Sequence, residues 1–304
     1  MNYKIKEGNY EKQGVQQLGK WTIFTFEGEK EDDCSVVLLN NEKEVVEKIE
    51  VPKEYCMGSL RSVAVENLKT DELLYMFEVN GKRVLDPYAH RIVGREVWND
   101  EKRMPDAVYG AFVPSGFAWG DDRSPEIDRS QMIMYKLHVR GFSMDAKAST
   151  TNGTFQAVSA RIPYLQGIGV TTVELMPVYE FEERIFPEEK VLPDYIQWEA
   201  EDADMIVPPE ETKVLPKLNF WGYTKGNYFA VKSSYARNAA KASMEYKALI
   251  RKLHQHGMEC VMEFFFPEGT DQNLILAALR FWVMEYHVDG FHLLGENLPM
   301  TAIV

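Results

Sequence analysis

Between Trp21 and Val113 the chain alternates short apolar runs with turns rich in Gly, Asn, Asp and charged residues. The five clearest runs are WTIFTF, SVVLL, EVVEKIEV, RSVAVENL and LLYMFEV. Alternation of apolar and polar residues is typical of half-buried strands, and several such strands in succession favour an antiparallel sandwich. The pattern therefore predicts a β-sandwich in the first part of the chain.

The pattern changes after a segment from Val113 to Ser130, which is rich in Gly, Pro, Ser and Asp and has no hydrophobic period. Four strands then alternate with three helices, and the strands are MIMYKLHV, VTTVELMP, MECVMEFFF and VDGFHLL. Strands that alternate with helices predict a parallel sheet with helical crossovers. A doubly wound sheet and half of an eight-stranded barrel both fit this pattern.

The predicted helices carry start and stop signals. Thr154 and Ser243 stand where N-caps are needed, and Gly169 and Gly257 follow the last periodic residues. Pro163 lies inside the first helical pattern. We expect it to kink that helix, because proline lacks the amide hydrogen that a helix interior uses.

A long connection, residues 178–242, separates the second of these strands from the second helix, and its first part is strongly acidic and contains prolines. Connections of this length in compact domains usually form lids, binding loops or solvated excursions. We expect a solvated acidic loop.

The composition is that of a folded protein, since 45% of the 304 residues are hydrophobic and 12% are aromatic. The formal net charge of -13 repels polyphosphates, so we expect neither nucleic acid nor an anionic membrane as a partner. The longest apolar run, ILAALRFWVM, is interrupted by Arg280 and is too short to cross a bilayer.

The amino terminus has no signal-peptide pattern, so we expect a cytoplasmic protein. The three cysteines, Cys34, Cys56 and Cys260, have no ligand spacing. The sequence therefore predicts no disulfide framework, no metal site and no cofactor.

Six longer motifs occur in order along the chain. They are VLDPYAHRIVG, FAWGDDRSPEI, MYKLHVRGFS, GTFQAVSARIPYLQGIGVTTVELMPVYEF, NFWGYTKGNYFAVKSSYA and LRFWVMEYHVDGF. This series resembles the debranching branch of glycoside hydrolase family 13, the α-amylase superfamily, which includes isoamylase, pullulanase and bacterial glycogen debranching enzymes.

The resemblance implies a multidomain β plus α/β fold. Residues 1–126 would form an immunoglobulin-like β-sandwich resembling a family 48 carbohydrate-binding module. Residues 127–304 would form the first four strands of an α-amylase type (β/α)8 TIM barrel, with an acidic insertion near 178–218. The resemblance also implies α-glucan substrates such as glycogen or starch, with cleavage of α-1,6 branch points.

Half a barrel would leave its first and fourth strands as open edges beside an apolar inner face, which in water favours pairing or aggregation. Two partners would remove these edges. We expect either a carboxyl-terminal half that completes the barrel or a homo-oligomer in which a second copy of the chain does so.

The residues needed for hydrolysis are replaced or lie outside the four strands. Retaining glycoside hydrolysis needs two carboxyl groups about 5 Å apart, which barrel enzymes place at the carboxyl ends of strands. The family's fourth strand ends in Gly-Phe-Arg-Phe-Asp, whose Asp is the nucleophile, and the matching residues here are GFHLL. Leu294 therefore replaces the nucleophile. The family's other two acids belong to its fifth and seventh strands.

A second family motif, Asp-Val-Val-Tyr-Asn-His, ends the third strand and is matched here by EFFFPE. Glu268 therefore replaces the substrate-contacting His. Glu296 is the candidate substitute nucleophile, but it lies two residues past Leu294, or about 6.6 Å further along an extended strand. A bend at Gly295 would have to shorten that distance.

The candidate substrate-binding residues are Tyr223, Trp221, His292 and Glu268. Tyr223 matches the family's aromatic residue that stacks on the sugar next to the cleavage point, and Trp221 lies beside it; core packing is the alternative for both. His292 is expected either to pair with Glu268 or Glu296, or to be a satisfied polar residue under a loop.

Three functions follow as alternatives. The chain could be a glucan-binding protein that has kept the debranching scaffold and lost hydrolysis, which the replaced nucleophile favours. It could be an active O-glycosyl hydrolase when part of a longer chain. It could also be a structural partner whose open barrel edge another chain completes.

Overall fold

The computed structural model describes residues 3–103, 107–114, 116–145, 151–186, 216–296 and 298–303. Within these residues the chain forms two antiparallel sheets, one parallel sheet flanked by helices, and two short antiparallel ribbons. No helix in the described ranges is long and apolar enough to span a membrane.

Two antiparallel sheets contain the strands predicted from the alternating runs. The strands of the first sheet are β1 (Ile5–Glu7), β2 (Gly14–Leu18), β3 (Trp21–Glu27), β6 (Cys56–Met57) and β7 (Leu60–Glu66). The strands of the second are β4 (Cys34–Leu39), β5 (Val45–Val51), β8 (Leu74–Val79), β9 (Lys82–Val84), β10 (Ile92–Val93) and β11 (Tyr109–Ala111). Their orders are β1-β7-β3-β2, with β6 on β7, and β10-β11-β8-β4-β5, with β9 on β8. All five predicted strands, β3, β4, β5, β7 and β8, are confirmed.

The two sheets share one aromatic core. Phe24 and Phe26 of the first sheet and Tyr75 and Phe77 of the second are buried in the same cluster. The rings of Phe26 and Phe77 stack with their centroids 4.1 Å apart. Each sheet thus covers the apolar face of the other, which is the arrangement of a sandwich.

A fully buried arginine joins the two sheets. Arg61 lies in β7, and its Nη1 donates to the carbonyl oxygens of Glu29 (3.2 Å) and Lys30 (3.1 Å) in the turn after β3. Its Nη2 donates to the carbonyl oxygens of Val51 (2.7 Å) and Pro52 (2.8 Å) at the end of β5. One side chain therefore satisfies backbone carbonyls that belong to both sheets.

The parallel sheet has four strands in chain order. They are β12 (Met134–Leu137), β13 (Thr172–Leu175), β18 (Glu259–Phe266) and β19 (Gly290–Gly295). Neighbours pair as β12-β13-β18-β19, and every pair is parallel. The predicted parallel sheet is confirmed, and its strand order contains no reversal.

Six α-helices lie in the described residues. They are α1 (Gly141–Met144), α2 (Phe155–Ala160), α3 (Ile162–Gly167), α4 (Ala242–Gln255), α5 (Gln272–Tyr286) and α6 (Met300–Ile303). Single 3-10 turns occupy Arg129–Gln131, Ser233–Tyr235 and Ala239–Lys241.

The helix signals were mostly correct. The Thr154 hydroxyl accepts from the Ala157 amide and caps α2, as predicted. The expected kink at Pro163 is confirmed as a break between α2 and α3. The predicted Ser243 cap is wrong, because α4 begins at Ala242 and the Ser243 hydroxyl instead accepts from Tyr286 Oη at 2.9 Å.

One face of the parallel sheet packs on the helices. Leu175, Met262 and Phe264 project from this face into a large core cluster, where they meet Tyr246 of α4 and Trp282 of α5. All five side chains are buried. The helices therefore lie on this apolar face, as hydrophobic burial requires.

The opposite face of the sheet is polar in its centre, where the sequence analysis expected an apolar inner face. Because side chains alternate between faces, Lys136, Glu174, Glu263 and His292 share this second face. The Glu263 carboxylate is fully buried there, and the Glu174 side chain is only 7% exposed. A set of charged residues occupies the position where hydrophobic layers were expected.

The long connection contains two ribbons. Its strands are β14 (Tyr179–Phe181), β15 (Arg184–Ile185), β16 (Lys217–Leu218) and β17 (Gly226–Val231), paired as β14-β17 and β15-β16. Much of the predicted acidic insertion near 178–218 falls on residues 187–215, outside the described residues. In the described part the expectation of a solvated acidic loop is wrong, since Glu180 and Glu183 are fully buried around Lys232.

The sandwich and the parallel-sheet region are in direct contact. Ala230 of β17 is buried in the same cluster as the sandwich core. Arg95 Nη1 donates to Asn227 Oδ1 at 3.0 Å, and Ser233 Oγ donates to the carbonyl oxygen of Arg95 at 2.9 Å. The rings of Tyr88 and Phe229 lie 4.9 Å apart. These contacts join the two regions through β17 and the turn after it.

A histidine between two aspartates anchors the segment that links the two regions. His254 of α4 has its Nδ1 3.0 Å from Asp122 and its Nε2 3.0 Å from Asp289. Burial lowers the pKa of His254, but hydrogen bonds and negative charge from Asp289 and Asp122 outweigh burial, so the pKa is raised. Since both ring nitrogens face carboxylates, the doubly protonated imidazolium fits this position best.

The His254 clamp makes stability depend on pH. A histidine whose folded-state pKa is raised contributes stability that is fully present below the unfolded pKa of about 6.5 and is lost as the pH rises through the folded value. We expect the free energy of unfolding, measured with urea, to fall as the pH rises above about 6.5, and to fall less steeply in His254→Gln. Equal slopes in the two proteins would contradict this role.

Candidate functional site

Two aromatic side chains lie across the carboxyl ends of the parallel strands. Trp221 is 52% exposed, and its ring packs at a T-shaped angle on His138, which follows β12. Tyr223 is half-buried and meets Phe265 near the end of β18, with ring centroids 6.2 Å apart. The structure therefore places these two predicted residues at the same edge of the sheet.

His138 holds the segment that carries Trp221. Its Nδ1 accepts from the Gly141 amide at 3.0 Å, so Nε2 carries the proton and donates to the Phe220 carbonyl oxygen at 2.8 Å. Its ring also stacks on Phe220, with centroids 4.2 Å apart. Burial lowers the pKa of His138 to about 4, which keeps the ring neutral. Sequence reasoning missed His138, although it lies in the MYKLHVRGFS motif.

Below Tyr223, a connected group of polar side chains spans all four strands. Lys136 Nζ lies 2.8 Å from Glu263 Oε1 and 3.4 Å from Glu174 Oε1. Tyr223 Oη donates to the Glu263 carboxylate at 3.2 Å. His292 Nδ1 lies 2.8 Å from Glu174 Oε1. We call Lys136, Glu174, Glu263 and His292 the inner-face cluster.

The buried carboxylates control the electrostatics of this cluster. Burial lowers the pKa of Lys136, but its hydrogen bond to Glu263 and the nearby negative charge raise the pKa overall. Burial raises the pKa of Tyr223, and the charge of Glu263 raises it further. Both groups therefore stay protonated near neutral pH, with Lys136 as the cation and Tyr223 as a hydrogen-bond donor to Glu263.

The structure corrects the expected partner of His292. His292 pairs with Glu174, and Glu263 is the next carboxylate at 3.9 Å, so the predicted pairing with Glu268 or Glu296 is wrong. Parallel register explains the difference, because Glu263 lies directly opposite His292 on the neighbouring strand. Glu268 lies beyond the end of β18 and is exposed.

Leu294, which the sequence predicts at the family's nucleophile position, lies on β19 opposite Phe265 of β18 and on the same face as His292. Glu296 follows the end of β19 at a bend and is exposed. Gly295 has a φ of 144°, and a Cβ there would lie 2.2 Å from the Phe266 carbonyl oxygen, so this position requires glycine.

Comparisons with known proteins point to one group of enzymes, although no family model matches the chain. Isoamylase 3, chloroplastic, from Oryza sativa subsp. japonica is 27% identical over an alignment of 317 positions, which covers 82% of this chain and 38% of that protein. Pullulanase A from Streptococcus pneumoniae is 27% identical over an alignment of 370 positions, which covers 97% of this chain and 28% of that protein.

Solved structures share the fold. A pullulanase from Paenibacillus barengoltzii, in complex with maltohexaose and α-cyclodextrin, matches with a TM-score of 0.69 and 20% identity, covering 94% of this chain and 49% of that one. A pullulanase from Bacillus acidopullulyticus matches with a TM-score of 0.68 and 20% identity, covering 94% of this chain and 38% of that one. The chain therefore spans less than half the length of each relative and structure named here.

The cytoplasmic location expected from the sequence is contradicted, because isoamylases similar to this chain from rice, Arabidopsis thaliana and Zea mays are chloroplastic. The predicted resemblance is confirmed. The homologues of this chain are isoamylases and pullulanases, debranching enzymes of glycoside hydrolase family 13, and they match it with part of their own length.

Proposed function

We propose that this chain binds α-glucan at the carboxyl ends of its parallel strands and does not itself hydrolyse the polymer. One combined observation carries the proposal. Leu294 lies on the strand that should supply the nucleophile, and aromatic side chains lie at the same edge of the sheet. Leucine has no oxygen with which to attack an anomeric carbon. The relatives are glycogen and starch debranching enzymes, which supports glucan as the ligand.

The proposed architecture is that of the family. Residues 1–126 are assigned to an immunoglobulin-like module of the family 48 carbohydrate-binding type, and 127–304 to the first four strands of a (β/α)8 barrel with the insertion near 178–218. The chain-ordered strands β12-β13-β18-β19 support a barrel wall, because a doubly wound sheet reverses its strand order. A carboxyl-terminal half of the barrel, or a second copy of the chain, would complete the wall.

Trp221 and Tyr223 are the proposed sugar contacts. The exposed indole of Trp221 offers a flat apolar face to the C–H groups of a pyranose ring, and Tyr223 is held in place through Glu263. Glu268, exposed beyond β18, and His292, 46% exposed at its side chain, are assigned to hydroxyl contacts at the rim. His292 Nδ1 already pairs with Glu174, so its Nε2 is the atom proposed to meet a sugar hydroxyl.

The alternative function is an active O-glycosyl hydrolase that cleaves α-1,6 bonds when this chain is part of a longer one. This alternative is retained because the chain matches only 38% and 28% of the length of the two relatives described above. In that case the general acid would come from outside these residues, and Glu296 would have to serve as nucleophile.

The binding proposal predicts that native gels containing glycogen retard the chain. Trp221→Ala should weaken the apparent affinity by roughly thirtyfold, because an aromatic anchor typically contributes about 2 kcal/mol. Tyr164→Ala is the matched control, since Tyr164 on α3 is 53% exposed and lies outside the strand-end site. The chain should release no reducing sugar from pullulan or glycogen.

Two results would contradict the proposal. Equal mobility of the unmodified chain with and without glycogen would exclude the binding function. Release of reducing sugar that Glu296→Gln abolishes would favour the hydrolase alternative.

A further inference from the structure

Three side chains on three neighbouring strands direct one ligand atom each toward a common point. Glu174 of β13, Glu263 of β18 and His292 of β19 have these atoms within 4.8 Å of one another. The His292 Nδ1 atom lies 2.8 Å from Glu174 Oε1 and 3.9 Å from Glu263 Oε1. Carboxylate oxygen and imidazole nitrogen atoms are both ligands that Zn²⁺ uses in proteins.

We propose that Glu174, Glu263 and His292 bind a divalent transition-metal ion such as Zn²⁺, with a fourth coordination position open to water. Zinc bonds of about 2.0–2.1 Å in tetrahedral geometry place ligand atoms roughly 3.3 Å apart. The two separations from His292 lie on either side of that value, so small side-chain rotations would reach it. This inference does not depend on glucan binding.

A cation already lies beside these carboxylates. The Lys136 ammonium group is 2.8 Å from Glu263 Oε1 and 3.4 Å from Glu174 Oε1. Because the Glu263 side chain is fully buried and that of Glu174 nearly so, their negative charges need a positive partner. The Lys136 side chain is 39% exposed, so its ammonium group can turn toward solvent when a metal ion takes its place. Lysine and metal therefore compete for one position.

The surroundings fit such a site. Glu174 and His292 line an open cleft of about 650 Å³ on the polar face of the sheet, which gives an ion a path from solvent. Tyr223 Oη donates to both carboxylate oxygens of Glu263, at 3.2 and 3.3 Å, and so orients this ligand from outside the cluster. Sequence reasoning predicted no metal site, because these ligands lie on separate strands and form no spacing motif.

The test measures Zn²⁺ binding by calorimetry on the tag-free chain, with Co²⁺ as a spectroscopic substitute. We expect one ion per chain and visible Co²⁺ absorption typical of four-coordinate geometry. His292→Ala should weaken binding by about tenfold or more, and it should fold because the His292 side chain is nearly half exposed. Lys136→Met removes the competing ammonium group and should strengthen binding by about tenfold.

His256→Ala is the matched control, because His256 lies at the end of α4, away from the inner-face cluster, and its loss should leave Zn²⁺ affinity unchanged. Two outcomes would overturn the proposal. One is equal affinity and equal Co²⁺ absorption in the unmodified chain and His292→Ala. The other is the absence of Zn²⁺ binding both in the unmodified chain and in Lys136→Met that circular dichroism shows to be folded, since this variant has the least competition.

Discussion

Replacing Lys232 by Met is expected to lower the free energy of unfolding by about 3–5 kcal/mol, because removing one partner of a buried ion pair leaves an uncompensated buried charge. The Lys232 ammonium group lies 2.7 Å from Glu180 Oε1 and 2.5 Å from Glu183 Oε1, and all three side chains are fully buried. It also donates to the Phe181 carbonyl oxygen at 2.9 Å. Loss of the ammonium group would strand two carboxylates inside the protein.

Urea unfolding monitored by tryptophan fluorescence measures this effect. Lys48→Met is the matched control, since Lys48 pairs with Glu78 at 2.7 Å but has a half-exposed side chain and should cost less than about 1 kcal/mol. If Lys232→Met does not fold, the triple variant Lys232→Met, Glu180→Gln, Glu183→Gln should recover much of the stability, because it removes the stranded charges. A loss below about 1 kcal/mol in Lys232→Met would contradict the account.

Replacing Arg61 by Met is expected to lower the free energy of unfolding by about 3 kcal/mol or more, since it leaves several carbonyl oxygens without their donor and each unsatisfied buried group costs about 1–3 kcal/mol. The affected oxygens belong to the turn after β3 and the end of β5, so local unfolding should increase first in the sandwich. Arg61→Lys should recover only part of the loss, because an ammonium group cannot reproduce the fork of the guanidinium group.

Thermal and urea unfolding measure the Arg61 variants, and hydrogen exchange of β3, β5 and β7 locates the change. Arg83→Met is the control, because Arg83 is half-exposed, lies 3.8 Å from Glu78 and should contribute less than about 0.5 kcal/mol. Equal losses in the Arg61 and Arg83 variants would show that the buried hydrogen bonds add nothing to stability.

Local patterns were enough to predict most of the secondary structure. Alternation over a few residues is a property of the strand itself, which explains why β3, β4 and β8 followed from the sequence. The Thr154 cap was predictable for the same reason, because the capping hydroxyl and the amide it serves lie three residues apart. The prediction that Ser243 caps α4 was wrong because its hydroxyl accepts from Tyr286, a residue distant in the sequence.

The candidate site was less predictable, because its contacts join strands that are far apart in sequence. His292 and Glu174 are separated by 118 residues, and only the parallel register brings them together. An acid near His292 in the sequence was therefore the wrong partner. The prediction of a solvated acidic loop was wrong for a similar reason, since Lys232, which neutralises Glu180 and Glu183, lies beyond β17.

The burial of His138 determines the pH range over which the aromatic residues at the strand ends keep their arrangement. With a pKa near 4, this imidazole does not change its charge between mildly acidic and mildly alkaline solution. Its bond to the Phe220 carbonyl, which fixes the approach to Trp221, therefore survives across that interval. Trp221 should therefore keep its position when the pH changes, whereas the contact between His254 and Asp122 of the linking segment responds to the same change.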